Sequence, residues 1–317
     1  MSEYSYENGR LNLPFVGFCT FAKAPVCEDW DNIKADVAVL GVPNDMGCQY
    51  RSGSRFGPRA IREASTLCSI GHGGAYDHED DRTYLTSEQV HIVDIGDVDI
   101  IHTDQNQSHA NTEEALRKIL SAGAMPLILG GDHSITSPVL KAYDQNGPIH
   151  VVQIDAHLDF VDERHGVRYG HGNPMRRASE MPHVTGITQL GIRNVSSSSR
   201  KDYQAAREAG SQFRSVRQFR EMGTQRVLDE LIPADKSYYV TIDIDGFDPS
   251  IAPGTGTPSH GGFLYYEVLE FLAGLAEHGN VKGMDLVAVS PPRDQTGVTS
   301  ILAAQVLMNA VGRIFYK

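Results

Sequence analysis

Three short apolar runs in this chain each end on a cluster of acids and imidazoles. Met125–Leu129 leads into Gly130-Gly131-Asp132-His133. His150–Ile154 leads into Asp155-Ala156-His157-Leu158-Asp159. Tyr238–Ile242 leads into Asp243-Ile244-Asp245-Gly246-Phe247-Asp248. Titratable groups directly after buried strands point to the carboxyl ends of an open α/β sheet, where such sheets bind ligands. Strand period two predicts Asp155, His157 and Asp159 on one face, with alternate Cα atoms about 6.6 Å apart. Asp243 and Asp245 share a face in the same way. A lone Asp at such a turn is ordinarily a cap. Four carboxylates gathered at a buried sheet end are another matter, because each would sooner take up a proton than stay charged. Two divalent cations offset that charge. Oxygen donors with a few imidazoles suit Mn²⁺, and also Ni²⁺, Co²⁺ or Zn²⁺.

The rest of the chain supports a sheet of this kind. Strand-like runs at Val37–Val42, His91–Ile95, Met125–Leu129, His150–Ile154, Ile187–Ile192, Tyr238–Ile244 and Val281–Val289 alternate with helical patterns. Most lack polar alternation, as strands buried on both faces do. The order predicts a mainly parallel α/β sheet with helices on both faces. Asn111 to Glu114 reads as a capping box, Ser137-Pro138 as N-cap and N1, and Gly210 as a helix end. Residues 1–36 read as an N-terminal arm, and 37–317 as one domain.

Composition narrows the function classes. A net charge of −12 argues against nucleic acid as a partner. No apolar stretch approaches the ~20 residues of a membrane span, and the first residues carry no secretory pattern. Cys19, Cys27, Cys48 and Cys68 form no CxxC pair and read as reduced thiols of a cytoplasmic protein. Gly71–Gly74 follows no strand and is no phosphate loop. His72 and His78 read as solvated loop histidines. Ser196–Ser199 reads as a turn, and no GxSxG elbow is present.

The three motifs resemble the signatures of the ureohydrolase family, the arginases, agmatinases and related guanidino hydrolases. GVPND (Gly41–Asp45), SGSRFGPRAIR (Ser52–Arg62), HGNP (His171–Pro174) and APGTGTP (Ala252–Pro258) add to the likeness, and the last is nearer agmatinases. The resemblance implies a three-layer α/β/α arginase-like fold with two divalent metal ions per chain, Mn²⁺ first and Ni²⁺ second. One ion falls to His133, Asp155, Asp159 and Asp243, and the other to His157, Asp155, Asp243 and Asp245. It further implies hydrolysis of a C–N bond of a small guanidino substrate to urea and an amine. Asp159 would hydrogen-bond the attacking water, and His171 would shuttle the proton. Glu163, Arg164, His165, Tyr169 and Asn173 fall where family members select substrates. A homotrimer or homohexamer is expected, with a hetero-oligomer containing a related subunit as the alternative.

One position departs from the family. A glutamate that pairs with the substrate guanidinium normally follows the Met284-Asp285-Leu286-Val287 segment, and here the residue is Ala288. Three readings follow. The alanine is an engineered change that weakens catalysis. Alternatively, it makes room for an N-substituted guanidine or biguanide, as in a nickel-dependent, metformin hydrolase-like enzyme. Lastly, the chain is a weakly active or disabled subunit, or a metal-binding scaffold. The complete ligand set argues against the last.

Overall fold

A computed structural model describes residues 13–68 and 73–316. Eight strands form one sheet: β1 (Val37–Val42), β4 (Ile92–Asp97), β5 (Met125–Gly130), β6 (Ile149–Ile154), β7 (Val184–Leu190), β8 (Gln212–Arg214), β9 (Ser237–Asp243) and β10 (Asn280–Val287). Their order is β4-β1-β5-β10-β9-β6-β7-β8, and every neighbouring pair is parallel. A separate antiparallel hairpin pairs β2 (Ala75–Asp77) with β3 (Arg82–Tyr84). Its strands fall in a segment whose polarity gave no strand signal.

Helices cover both faces. Val37 and Val39 point into one core with side chains of α1 (Gly57–Ser65), α6 (Val216–Met222), α7 (Thr224–Leu231), α8 (Tyr265–His278) and α9 (Val298–Phe315). Ala38, Leu40 and Val42 point into the other with α2 (Gln105–Ser121), α3 (Thr136–Lys141), α4 (Pro174–Ala178) and α5 (Arg200–Glu208). Alternate residues of one strand thus serve opposite cores, which is why these strands read as unbroken apolar runs. By length and composition α9 could cross a membrane. Here it is apolar all round because Leu302, Val306, Leu307 and Val311 lie within the core.

Several boundaries differ from the sequence expectation. The second helix starts at Gln105, capped by Asp104, whose side chain accepts from Gln107 N. Asn111 is therefore inside the helix, where its amide donates to Asp99 O at 2.8 Å. Ser137-Pro138 does not start α3, because a 3₁₀ turn over His133–Ile135, capped by Asp132, already leads into it. Gly210, with φ +82°, does follow the end of α5. Ser199 is more than a turn residue, since it makes a capping box with Asp202.

Described residues of the N-terminal segment are tied to the sheet edge. Phe21 N and the Arg62 guanidinium share the Asp94 carboxylate, and Trp30 Nε1 donates to Ile95 O at 2.9 Å. Cys19, Cys27 and Cys48 are free thiols. Nothing is described for the Cys68 side chain, and His72 and Gly71 lie outside the described residues. His78 is exposed at the hairpin turn.

Two buried histidines link this packing to pH. Burial pushes His150 and His109 down to about 4. A folded-state value below the unfolded one means that stability is complete above about 6.5 and is lost as pH falls toward 4. Each contributes at most about 3 kcal/mol, at ~1.4 kcal/mol per pH unit. Melting temperature measured from pH 7 to pH 4 is expected to fall less steeply in His150→Gln and His109→Gln than in the parent.

Candidate metal centre

The four central strands, in the order β5-β10-β9-β6, bring the three motifs and Ala288 to the carboxyl end of the sheet. After β5 the chain must pass the segment following β1 at close range. A Cβ on Gly131 would collide with the Asn44 carbonyl, so only glycine fits. That passage lets Asp132 N bond Asn44 O at 2.8 Å. The Asp132 carboxylate then caps the turn by accepting from Ser134 N at 2.8 Å. Asp132 is the ordinary cap, and His133 is presented beyond it.

The motif after β6 converges by another route than expected. β6 stops at Ile154, so 155–159 is a loop and not an extended strand. Asp155 Oδ1 accepts from His157 N at 2.6 Å, and Asp159 sits at φ +51°. A non-glycine residue in that region bears strain of order 1 kcal/mol that neighbouring structure must sustain. Asp243 closes β9, and its side chain accepts from Asp245 N at 2.9 Å, which holds Asp245 in a 3₁₀ turn.

All six residues meet. His133 Nδ1 is 3.0 Å from Asp155, 2.9 Å from Asp159 and 3.5 Å from Asp243. His157 Nδ1 is 3.1 Å from Asp245 and 3.5 Å from Asp155. Two sets, His133/Asp155/Asp243 and Asp155/His157/Asp245, each offer donor atoms within 4.8 Å of one another, and Asp155 belongs to both. The donor set fits cations on its own terms. His133 Nδ1 is buried and makes no hydrogen bond, although three carboxylates surround it. Burial and the charges of Asp245 and Asp155 push Asp243 well above the usual carboxylate range. Burial with the Asp155 charge lifts Asp159 to about 6. Burial alone would raise Asp155 too, but His133 and His157 hold it low. The protein by itself carries more negative charge here than it can keep ionised.

A layer of polar residues around these six was not read from the sequence. Gln153 Nε2 donates to Asp155 at 2.6 Å and is held by Gln189 in turn. Thr257 donates to Asp245 at 2.7 Å. Thr241 and Asp285, cross-strand neighbours on β9 and β10, stand behind His133. The signal was available: Gln153 and Thr241 lie two residues before Asp155 and Asp243, on the same strand face. Asp285 is a fully buried charge inside an apolar run.

His171 lies on the loop that follows. Its backbone N–H bonds Gly47 O at 3.2 Å, and no hydrogen bond ties its imidazole among the described residues. Burial, with the charges of His157 and His133, pushes it down to about 4, so it is neutral at neutral pH. Asn173 clamps the loop. It is buried, and its amide is spent on Gly170 N at 2.8 Å and Val161 O at 2.6 Å. Tyr169 is half exposed, edge-on to His109, with its carbonyl bound by Gln105. Glu163 and His165 are exposed. Arg164 bridges Gln49 and Ser197 O. Ala288, half-buried at φ +68°, bonds Gly131 O through its N–H at 2.7 Å.

Residues 35–312 match the model of the Arginase family. The chain belongs to the arginase family. It is 36% identical to the human mitochondrial guanidino acid hydrolase over 304 residues, 92% of this chain and 81% of that protein. It is 34% identical to the mitochondrial agmatinase of Gallus gallus, over 92% of this chain and 84% of that one. The solved structure of proclavaminate amidino hydrolase from Streptomyces clavuligerus superposes with a TM-score of 0.84 at 34% identity, covering 95% and 99% of the two chains. The three-layer fold is thus the arginase fold, and the chain is a ureohydrolase, a hydrolase of guanidino compounds.

Cations are expected to stabilise the fold by binding only its native state. Adding Mn²⁺ or Ni²⁺ to chelator-stripped protein should raise the melting temperature by several degrees. In Asp155→Asn, which weakens the residue common to both sets, that rise should disappear.

Proposed function

We propose that this ureohydrolase holds two divalent cations, Mn²⁺ by preference and Ni²⁺ second, and cleaves a guanidino C–N bond to give urea and an amine. The observation that carries the proposal is His133 Nδ1, buried and without a hydrogen bond amid three carboxylates. His133, Asp155, Asp159 and Asp243 would hold one cation. His157, Asp155, Asp243 and Asp245 would hold the other. When bound, the pair supplies Lewis acidity and makes a water molecule acidic enough to attack at neutral pH.

The chain's own groups do the rest. Asp159 accepts a hydrogen bond from the attacking water and so fixes its lone pair toward the guanidino carbon. An imidazole nitrogen of His171, neutral at working pH, takes the proton released on attack and returns it to the departing amine. The C–N bond breaks, the new C–O bond stays with urea, and the amine leaves protonated. Asn173 and the Gly47 carbonyl hold the His171 loop in place.

Ala288 favours a second reading of the substrate. β10 lies between β5 and β9, so residue 288 stands in the row of metal-binding strand ends, and it offers a methyl group where the family's carboxylate would pair with a guanidinium. An N-substituted guanidine or biguanide fills that space and depends less on such a pair. We extend the proposal to a homo-oligomer, trimer or hexamer, supported by Phe15 and Phe18, each 84% exposed on the N-terminal segment.

Two experiments test this. Metal-loaded protein should release urea from at least one member of a panel of linear, N-alkylated and biguanide compounds, and His171→Asn should lower kcat by about 10²–10⁴-fold with KM little changed. Ala288→Glu restores a charge-assisted pair. It is expected to raise turnover of a simple guanidine such as agmatine and to lower that of a bulky N-substituted one. Lower turnover of both classes would sink the substrate reading.

A further inference from the structure

Asp285 has no place in the scheme above, yet it is the most heavily supported carboxylate near the site. It lies on β10, fully buried, three residues before Ala288, with no cation against it among the described residues. Three hydroxyls donate to it: Thr241 to Oδ1 at 2.6 Å, Tyr239 to Oδ2 at 2.8 Å and Thr136 to Oδ2 at 2.9 Å. A carboxylate accepts and does not donate, so the Thr241 proton points at Asp285. Thr241 Oγ1 is then left with lone pairs only, and His133 Nε2 lies 2.9 Å from it. That contact requires the proton on Nε2. The same contact aims Nδ1 at Asp155, Asp159 and Asp243, so a cation that replaces the proton there meets a ring whose other N–H is already placed on Thr241.

We propose that Asp285 is a positioning residue: acting through Thr241, it fixes the tautomer and ring plane of His133, and so makes the cation held by His133 the tighter of the two. The proposal rests on the two-cation reading. Among the described residues, no hydrogen bond reaches His157 Nε2 in this way. Its side chain is 28% exposed, against 1% for His133, and its contacts in the cluster all run through Nδ1. Groups that orient a metal-bound histidine through its second nitrogen are typically worth about 10–100-fold in metal affinity. The relay follows from the sheet register, since Thr241 and Asp285 are direct neighbours across β9 and β10.

The test titrates chelator-stripped protein with Mn²⁺ against a competing fluorescent chelator. The parent should bind in two steps. Thr241→Val, which keeps shape and loses the hydroxyl, should weaken the tighter step by about 10–100-fold and leave the weaker one within about twofold. Thr241→Ser should restore it. Asp285→Asn should weaken the tighter step when Thr241 is present and add nothing in Thr241→Val, the non-additivity of one relay. Thr136→Val removes a donor to Asp285 and a 3.5 Å neighbour of the Thr241 hydroxyl, and should weaken the tighter step less than Thr241→Val does. ¹⁵N spectra of histidine-labelled protein loaded with diamagnetic Zn²⁺ give an independent readout, with the Nε2–H signal of His133 shifted or lost in Thr241→Val. Two steps unchanged in Thr241→Val would overturn the positioning role while leaving the metal reading intact. A parent that binds no second Mn²⁺ would overturn both. Should Asp285→Asn fail to fold, the Thr241 pair decides the matter alone.

Discussion

Mutual repulsion among Asp155, Asp159, Asp243 and Asp245 is the constraint around which the rest is arranged. All four are buried, and the two pushed up in pKa, Asp159 and Asp243, mark a charge excess that the peptide does not balance. Such a cluster survives only if backbone donors and fixed side chains hold the oxygens in place. His157 N on Asp155, Asp245 N on Asp243, Gln153 on Asp155 and Thr257 on Asp245 do this. The parallel sheet makes the crowding possible. Four adjacent strands end together, so loops from distant stretches of chain share one end of the sheet.

Strand order also explains why β10 matters though it supplies no ligand. It fills the gap between β5 and β9, and its Asp285 reaches the Thr241 side chain across one register step. The residue that follows β10, Ala288, is bonded to Gly131 O, two residues before His133. Asp285 inside the sheet and Ala288 just beyond it are separated by three residues. The inner position is an acid held by three hydroxyls, and the outer one carries no charge.

Much of this was legible in the sequence, and the failures have physical causes. The seven principal strands and their motifs stand out because burial on both faces removes polar residues, leaving functional groups conspicuous at the ends. The edge strand β8 and the β2–β3 hairpin are short and partly solvated, so their pattern carries no such contrast. Period two failed for Asp155–Asp159 because the chain leaves the sheet at Ile154 and a left-handed Asp159 brings the third group round. The loop-holding bonds of Asn173 were not legible, because a polar residue beside a histidine does not reveal its backbone partners. Gln153, Thr241 and Asp285 were passed over because one-residue polarity inside a strand does not reveal its partner across the sheet.

Ala288 poses the question of what a missing side chain does to a site whose backbone is intact. Its φ of +68° is costly for any residue with a Cβ, alanine and glutamate alike. The conformation is set from outside, by the bond from its N–H to Gly131 O and by the bridge that joins Val289 to Thr255. Those same contacts hold the chain that presents His133. The strain at 288 therefore belongs to the main chain and was not introduced by the alanine. A substitution at 288 thus meets a backbone already held by Gly131 and Thr255, while the buried acids nearby keep backbone donors of their own.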